Sequence, residues 1–143
     1  EKLYGNLSNK IIAILGFAFK ANTNDTRESP AISICVDLLK EGAILNIHDP
    51  KVDHRLIKKN LDGFNSSSNS GNNINTCKTV NEAVLKADAI LILTDWDEYK
   101  SLNFREISKL MRKPAWVFDT RGVVDIQNLN DNDLNLWKLG IGT

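Results

Sequence analysis

The five consecutive apolar residues Ile11-Ile12-Ala13-Ile14-Leu15, closed off by Gly16, constrain this chain more than any other feature. The run is short, β-branched and apolar throughout, which predicts a strand covered on both faces rather than one with a wet side. Such a strand needs helices above and below its sheet. Similar runs follow at Ala89 to Leu93 and Ala115 to Phe118, a second strand is predicted at Ala43 to Ile47, where Asn46 interrupts the apolar residues, and Leu134 to Leu139 predicts one more short strand. Helical signals lie between them. Ser29-Pro30 supplies a hydroxyl cap and a proline at the first helical position. Ile32, Cys35, Val36 and Leu39 then recur at the helical period, and Gly42 stands where a left-handed cap ends the helix after Glu41. Further helices are predicted over Asp53 to Asn60, from the capping box Thr79-Val80-Asn81-Glu82 through Lys86, and from Asn103 to Arg112. Strands alternating with helices at these intervals predict an α/β fold, a Rossmann-like open parallel sheet with helices on both faces, in a single domain over 1–143.

Composition narrows the function. With 143 residues and 18 basic against 18 acidic side chains, the chain has the size of one domain and lacks the basic footprint of a nucleic-acid binder. No apolar run is long enough to span a membrane, and the first ten residues hold no apolar signal core. Cys35 and Cys77 form no C-x-x-C, and His48 and His54 are not spaced to join them, so no metal site is expected. A reducing, cytoplasmic location follows as the simpler expectation. From Asp62 to Asn75, eleven of fourteen residues are Asn, Ser or Gly. That composition buries too little to offset its ordering entropy and predicts a mobile loop over 62–75 within the domain.

Ligands of open parallel sheets bind beyond the carboxyl ends of the strands. Those segments here read Gly16-Phe17-Ala18-Phe19-Lys20, followed by Asn22, Asp25 and Arg27; His48-Asp49-Pro50-Lys51; Thr94-Asp95-Trp96-Asp97; and Asp119-Thr120-Arg121-Gly122. One sheet edge thus gathers Lys20, Arg27, Lys51 and Arg121. Two readings stand side by side. The cations could hold a phosphate or pyrophosphate, or they could pair with Asp25, Asp49, Asp95 and Asp119 to close the loops. Gly16 is followed by Phe17 instead of a G-x-G-x-x-G loop, so the domain is not expected to hold a dinucleotide by itself. No phosphate loop, nucleophile elbow or H-E-x-x-H helix is present either. Cys35 falls on the buried stripe of its helix, Cys77 has only Lys78 as a basic neighbour, and His48 reads as loop packing. Trp96 and Trp116 read as core or rim aromatics, with base stacking an alternative for Trp96.

The segment Gly16 to Ser29, GFAFKANTNDTRES, resembles the opening of the C-terminal domain of UDP-glucose 6-dehydrogenases. Asp49-Pro50-Lys51, Ala87-Asp88-Ala89, Thr94-Asp95-Trp96 and Phe118-Asp119-Thr120-Arg121 recur in that family in the same order. The resemblance implies a UDP-binding C-terminal domain of an enzyme that oxidises UDP-glucose to UDP-glucuronate with two NAD, a precursor step for polysaccharide synthesis. By the same resemblance Phe19, Lys20 and Arg121 contact the nucleotide sugar, and Arg27 reaches toward NAD held by an N-terminal domain. The partners implied are UDP-glucose, the N-terminal and central domains, and a second copy in a homodimer or larger oligomer. The family's nucleophilic cysteine lies upstream, and neither Cys35 nor Cys77 matches it, so this stretch contributes no catalytic residue and is expected to be inactive alone. Thr120 stands where the family usually has glycine, with Gly122 after the arginine instead. Sister enzymes acting on UDP-N-acetylmannosamine or GDP-mannose, and a non-catalytic nucleotide-sugar-binding module, are the alternatives.

Overall fold

A computed structural model describes residues 7–27, 29–64, 73–125 and 134–138. Six strands form one sheet: β1 (Ile11–Leu15), β2 (Ile44–His48), β3 (Ile74–Thr76), β4 (Ala89–Ile92), β5 (Ala115–Asp119) and β6 (Leu134–Lys138). Their order is β3-β2-β1-β4-β5-β6, and every neighbouring pair is parallel. The helices are α1 (Pro30–Lys40), α2 (His54–Leu61), α3 (Val80–Val84), α4 (Asp97–Lys100) and α5 (Phe104–Leu110). The chain steps outward from β1 to β3 and then returns to β4 on the far side of β1. Right-handed crossovers therefore put α1 and α2 on one face and α3 and α5 on the other. The contacts agree, since α1 packs on α2 and α3 on α5.

The central strands are buried on both faces, as their apolar runs require. Ile14, Leu15, Leu45, Ile47, Ile90, Ile92 and Val117 are closed to solvent. Ser29 Oγ accepts from Ala31 N at 3.2 Å to start α1, Cys35 and Leu39 bury one face of it, and Gly42 leaves it at φ +89°. No helix among the described residues is long and apolar enough to cross a membrane, and no cluster of metal-ligating side chains occurs among them.

The two ends of the stretch 62–75 carry regular structure where a mobile loop is expected. Asp62–Phe64 makes a 3-10 turn, and Ile74–Thr76 is the edge strand β3. Leu45 N donates to Asn73 O at 2.7 Å and Cys77 N to Ile47 O at 2.8 Å, while the Asn75 amide donates to Asn46 Oδ1 at 3.2 Å. A short edge strand needs only backbone pairing and one buried side chain, here Ile74, so an asparagine-rich composition does not forbid it. The remainder of the predicted loop, 65–72, lies outside the described residues. α3 and α5 end earlier than predicted because Lys86 takes φ +60° and Arg112 N turns away to Ala87 O. Leu139, at the end of the last predicted strand, also lies outside the described residues.

Candidate functional site

Strand order reverses at β1, so the loops leaving β1 and β4 flank the position where a doubly wound sheet opens its crevice. Here that position is closed by side chains. Asp49, just past β2, is buried, and its Oδ2 accepts from Phe17 N at 2.8 Å, Ala18 N at 3.0 Å and Trp96 Nε1 at 3.1 Å. Its Oδ1 accepts from Lys51 N at 2.8 Å and Val52 N at 3.0 Å. One carboxylate thus joins the loops after β1, β2 and β4. Beside it Tyr99 reaches back from α4, its hydroxyl donating to His48 O at 3.0 Å and lying 2.9 Å from His48 Nδ1. Phe17, Trp96 and Tyr99 are all buried in this arch.

The segment after Phe17 stands outside the arch and is tightly held. Ser29 Oγ donates to Phe17 O at 2.9 Å, Thr94 Oγ1 to Ala18 O at 3.0 Å, and Phe19 N to Asp25 O at 2.7 Å. From α2, the Asn60 amide donates to Thr26 Oγ1 at 3.1 Å. On this frame Phe19 and Lys20 are exposed. An exposed phenylalanine is one of only two large hydrophobic side chains so placed among the described residues, the other being Leu85.

Three of the four candidate cations share a local device. Asp25, Asp49 and Asp119 each accept from the backbone N–H two residues on, at Arg27 (2.9 Å), Lys51 (2.8 Å) and Arg121 (3.0 Å). These are Asx turns, in which the carboxylate fixes the backbone of the cation. Only part of the expected loop-closing ion pairing is present. Arg27 does grip Asp25 through Nε at 3.1 Å and a terminal nitrogen at 3.0 Å, which holds the carboxyl below its ordinary range although both groups are in solvent. Arg121 leans toward Asp95 at 3.6 Å, each about a third exposed. Asp49 and Asp119 take N–H donors instead, and Lys20 and Lys51 have no ion-pair partner among the described residues.

Thr120 explains itself locally. Its hydroxyl donates to Ile92 O at 2.7 Å, tying the end of β5 to β4, and Gly122 then turns at φ +71° in open space. Asp119 accepts from Val124 N at 2.7 Å as well. Arg121 is thereby presented from a fixed turn at the end of β5, two strands along from β1.

Residues 13–126 match the UDP-glucose/GDP-mannose dehydrogenase family, UDP binding domain. The chain belongs to that family. It is 40% identical to a UDP-glucose 6-dehydrogenase of Drosophila melanogaster over 144 residues, covering 98% of this chain and 30% of the relative. UDP-glucose 6-dehydrogenase 2 of Arabidopsis thaliana is 38% identical over 152 residues, covering 98% of this chain and 32% of the relative. A solved UDP-D-ManNAc dehydrogenase from Pyrococcus horikoshii superposes with a TM-score of 0.69 at 28% identity, over 92% of this chain and 26% of that one. The chain therefore spans about a third of the length of the dehydrogenases it matches.

Within this family domain both thiols are free and buried. Burial pushes Cys35 up to about 12, and burial with Glu82 nearby pushes Cys77 up to about 11. Trp96 is a buried strut whose indole is spent on Asp49, not an open stacking platform. The role of Asp49 is what sequence reasoning missed. Its two local bonds follow from an aspartate before proline at a strand end, but the three from β1 and β4 arise 31 to 47 residues away.

Proposed function

We propose that this domain holds the UDP portion of UDP-glucose within a longer, NAD-dependent UDP-glucose 6-dehydrogenase, and that it catalyses nothing alone. The observation that carries the reading is the exposed Phe19-Lys20 pair on a braced backbone, within a sequence 40% identical to a UDP-glucose 6-dehydrogenase. Lys20 and Arg121 neutralise the diphosphate from two strand ends, Lys20 as a point charge and Arg121 with a planar fork. Phe19 offers an apolar face to the nucleotide. Fixing the nucleotide orients the sugar, so the contribution to the reaction is positional.

NAD belongs to the rest of the enzyme in this reading. By the family resemblance Arg27, whose side chain is 88% exposed, is the one residue here assigned to the cofactor. The chemistry NAD supplies when bound is hydride acceptance. The enzyme is read as cytoplasmic, as acting in polysaccharide precursor synthesis, and as a dimer or larger assembly in which this domain meets N-terminal and central domains. The likeness to a UDP-D-ManNAc dehydrogenase supports a second reading with a different UDP-sugar on the same site.

A single continuous core runs through the described strands, so the 143-residue chain can be studied by itself. Amide-shift NMR with UDP and with GDP tests the reading. Saturable shifts centred on Phe19, Lys20 and Arg121 with UDP preferred are expected; equal response to GDP, or shifts elsewhere, overturns the assignment. In the full-length enzyme, oxidation of UDP-glucose in preference to UDP-N-acetylmannosamine separates the two sugar readings.

A further inference from the structure

Asp49 lies at the strand edge that the UDP reading makes an anion site, where a negative charge opposes anion binding. It is also costly to bury. Among the described residues no lysine or arginine side chain pairs with it, so its charge is compensated by five N–H donors alone. A carboxylate that served only to close a loop would need the two local donors, Lys51 N and Val52 N. The other three come from the segment immediately before Phe19-Lys20 and from the arch over it.

We propose that Asp49 is a positioning residue of the UDP site. It acts through the Phe17 and Ala18 amides to set where Phe19 and Lys20 stand, with the Trp96 indole locking the carboxylate from the β4 side. The inference rests on the UDP reading above, yet its structural half can be measured without ligand. Phe17 O is held by Ser29 and Ala18 O by Thr94, so the peptides on either side of the Asp49 contacts cannot rotate freely. Once the two amides are fixed, the direction in which the chain leaves toward Lys20 is fixed as well. The same carboxylate bonds Lys51 N, so any shift of Asp49 moves two strand-end loops together.

The sign of the charge effect separates positioning from electrostatics. Asp95 touches Arg121 only at 3.6 Å in partial solvent, a contact too long and too wet to orient it. Asp95→Asn removes a competing charge and is expected to strengthen UDP binding about twofold. Asp49→Asn also removes a negative charge near the site, so electrostatics alone predicts a gain there too. Positioning predicts a loss of roughly tenfold, with the salt dependence of binding retained because every cation is still present.

The experiment is UDP titration of wild type, Asp49→Asn, Asp95→Asn and Trp96→Phe, paired with amide hydrogen exchange of each ligand-free chain. Faster exchange at Phe17 and Ala18 with weaker UDP binding in Asp49→Asn supports the proposal. Unchanged or tighter binding by folded Asp49→Asn overturns it, as does unchanged exchange at those amides. If Asp49→Asn does not fold, Trp96→Phe decides, because it keeps the carboxylate and removes one donor. A loss of about threefold is expected there, and no loss overturns the proposal. Should wild type take up no UDP, the functional reading falls by itself, and the exchange data still decide whether Asp49 sets the Phe19-Lys20 segment.

Discussion

A Cβ on Gly16 would lie 2.4 Å from the Cβ of Thr94, closer than two carbons approach without bonding. Thr94 is buried, and its hydroxyl is committed to Ala18 O, so it cannot swing aside. Gly16 also leaves β1 at φ +99°, where a side chain is strained. The two residues meet because β1 and β4 are neighbours and both loops must turn over the same edge. Gly16→Ala combines overpacking with backbone strain and is expected to cost about 2–5 kcal/mol of stability. Chemical denaturation of the domain measures it, and a loss under about 1 kcal/mol would show that the loops yield more easily than this packing implies.

Lys20 tests the ligand side of the same edge. It is exposed and has no ion-pair partner among the described residues, so Lys20→Ala leaves the fold untouched. Loss of a charged hydrogen bond to the diphosphate is expected to weaken UDP binding by about 1.5–3 kcal/mol. Calorimetric titration of the domain reads the change, and an unaltered affinity removes Lys20 from the site. Arg27→Ala is the complementary variant. It should leave UDP affinity of the domain as it was and raise KM for NAD in the full-length enzyme.

Much of this architecture is legible in the sequence, and the exceptions have physical causes. β1 and β4 announce themselves because a strand buried on both faces is apolar at every position, and β2 and β5 are nearly so, broken by Asn46 and His48 in the one and Asp119 in the other. α1 does so through Ser29-Pro30 and Gly42, whose backbone requirements are local. β3 escapes notice because an edge strand of three residues is made by backbone bonds to β2, Leu45 N donating to Asn73 O and Cys77 N to Ile47 O, not by its own side chains. α4 is four residues long and begins at Trp96 without a side-chain cap. The site divides the same way. Where the cations sit follows from strand ends, whereas what Asp49 does depends on donors supplied by other loops.

Cys35 separates stability from binding. It is fully buried on α1, and its raised pKa leaves almost no thiolate at pH 8. Cys35→Ser places a hydroxyl among apolar side chains and is expected to cost about 1–3 kcal/mol with no change in UDP affinity. Thiol-reactive reagents at pH 8 should modify neither Cys35 nor Cys77 in the native chain, with labelling following the rate of opening. Prompt native labelling of Cys35 would place it outside the core.

His48 gives the fold a pH dependence of definite sign. The imidazole is buried beneath Tyr99, and burial holds its pKa below the ordinary 6.5, outweighing the upward pull of Glu98, Asp49 and Glu82; His54 adds to the lowering. Protons therefore bind the unfolded chain more readily than the folded one below pH 6.5. Stability from this group is complete above that value and is lost as pH falls from 6.5 toward the folded pKa, with a slope of at most about 1.4 kcal/mol per pH unit for one proton. Asp25 and Asp53, whose carboxyls are held below 3.8, act only in more acid solution. Melting temperature should thus decline between pH 6.5 and 5 in the wild type. In His48→Gln the melting temperature starts lower, because the Tyr99 contact changes, but its decline across this window should flatten. An equal decline in both chains would assign the effect to another group.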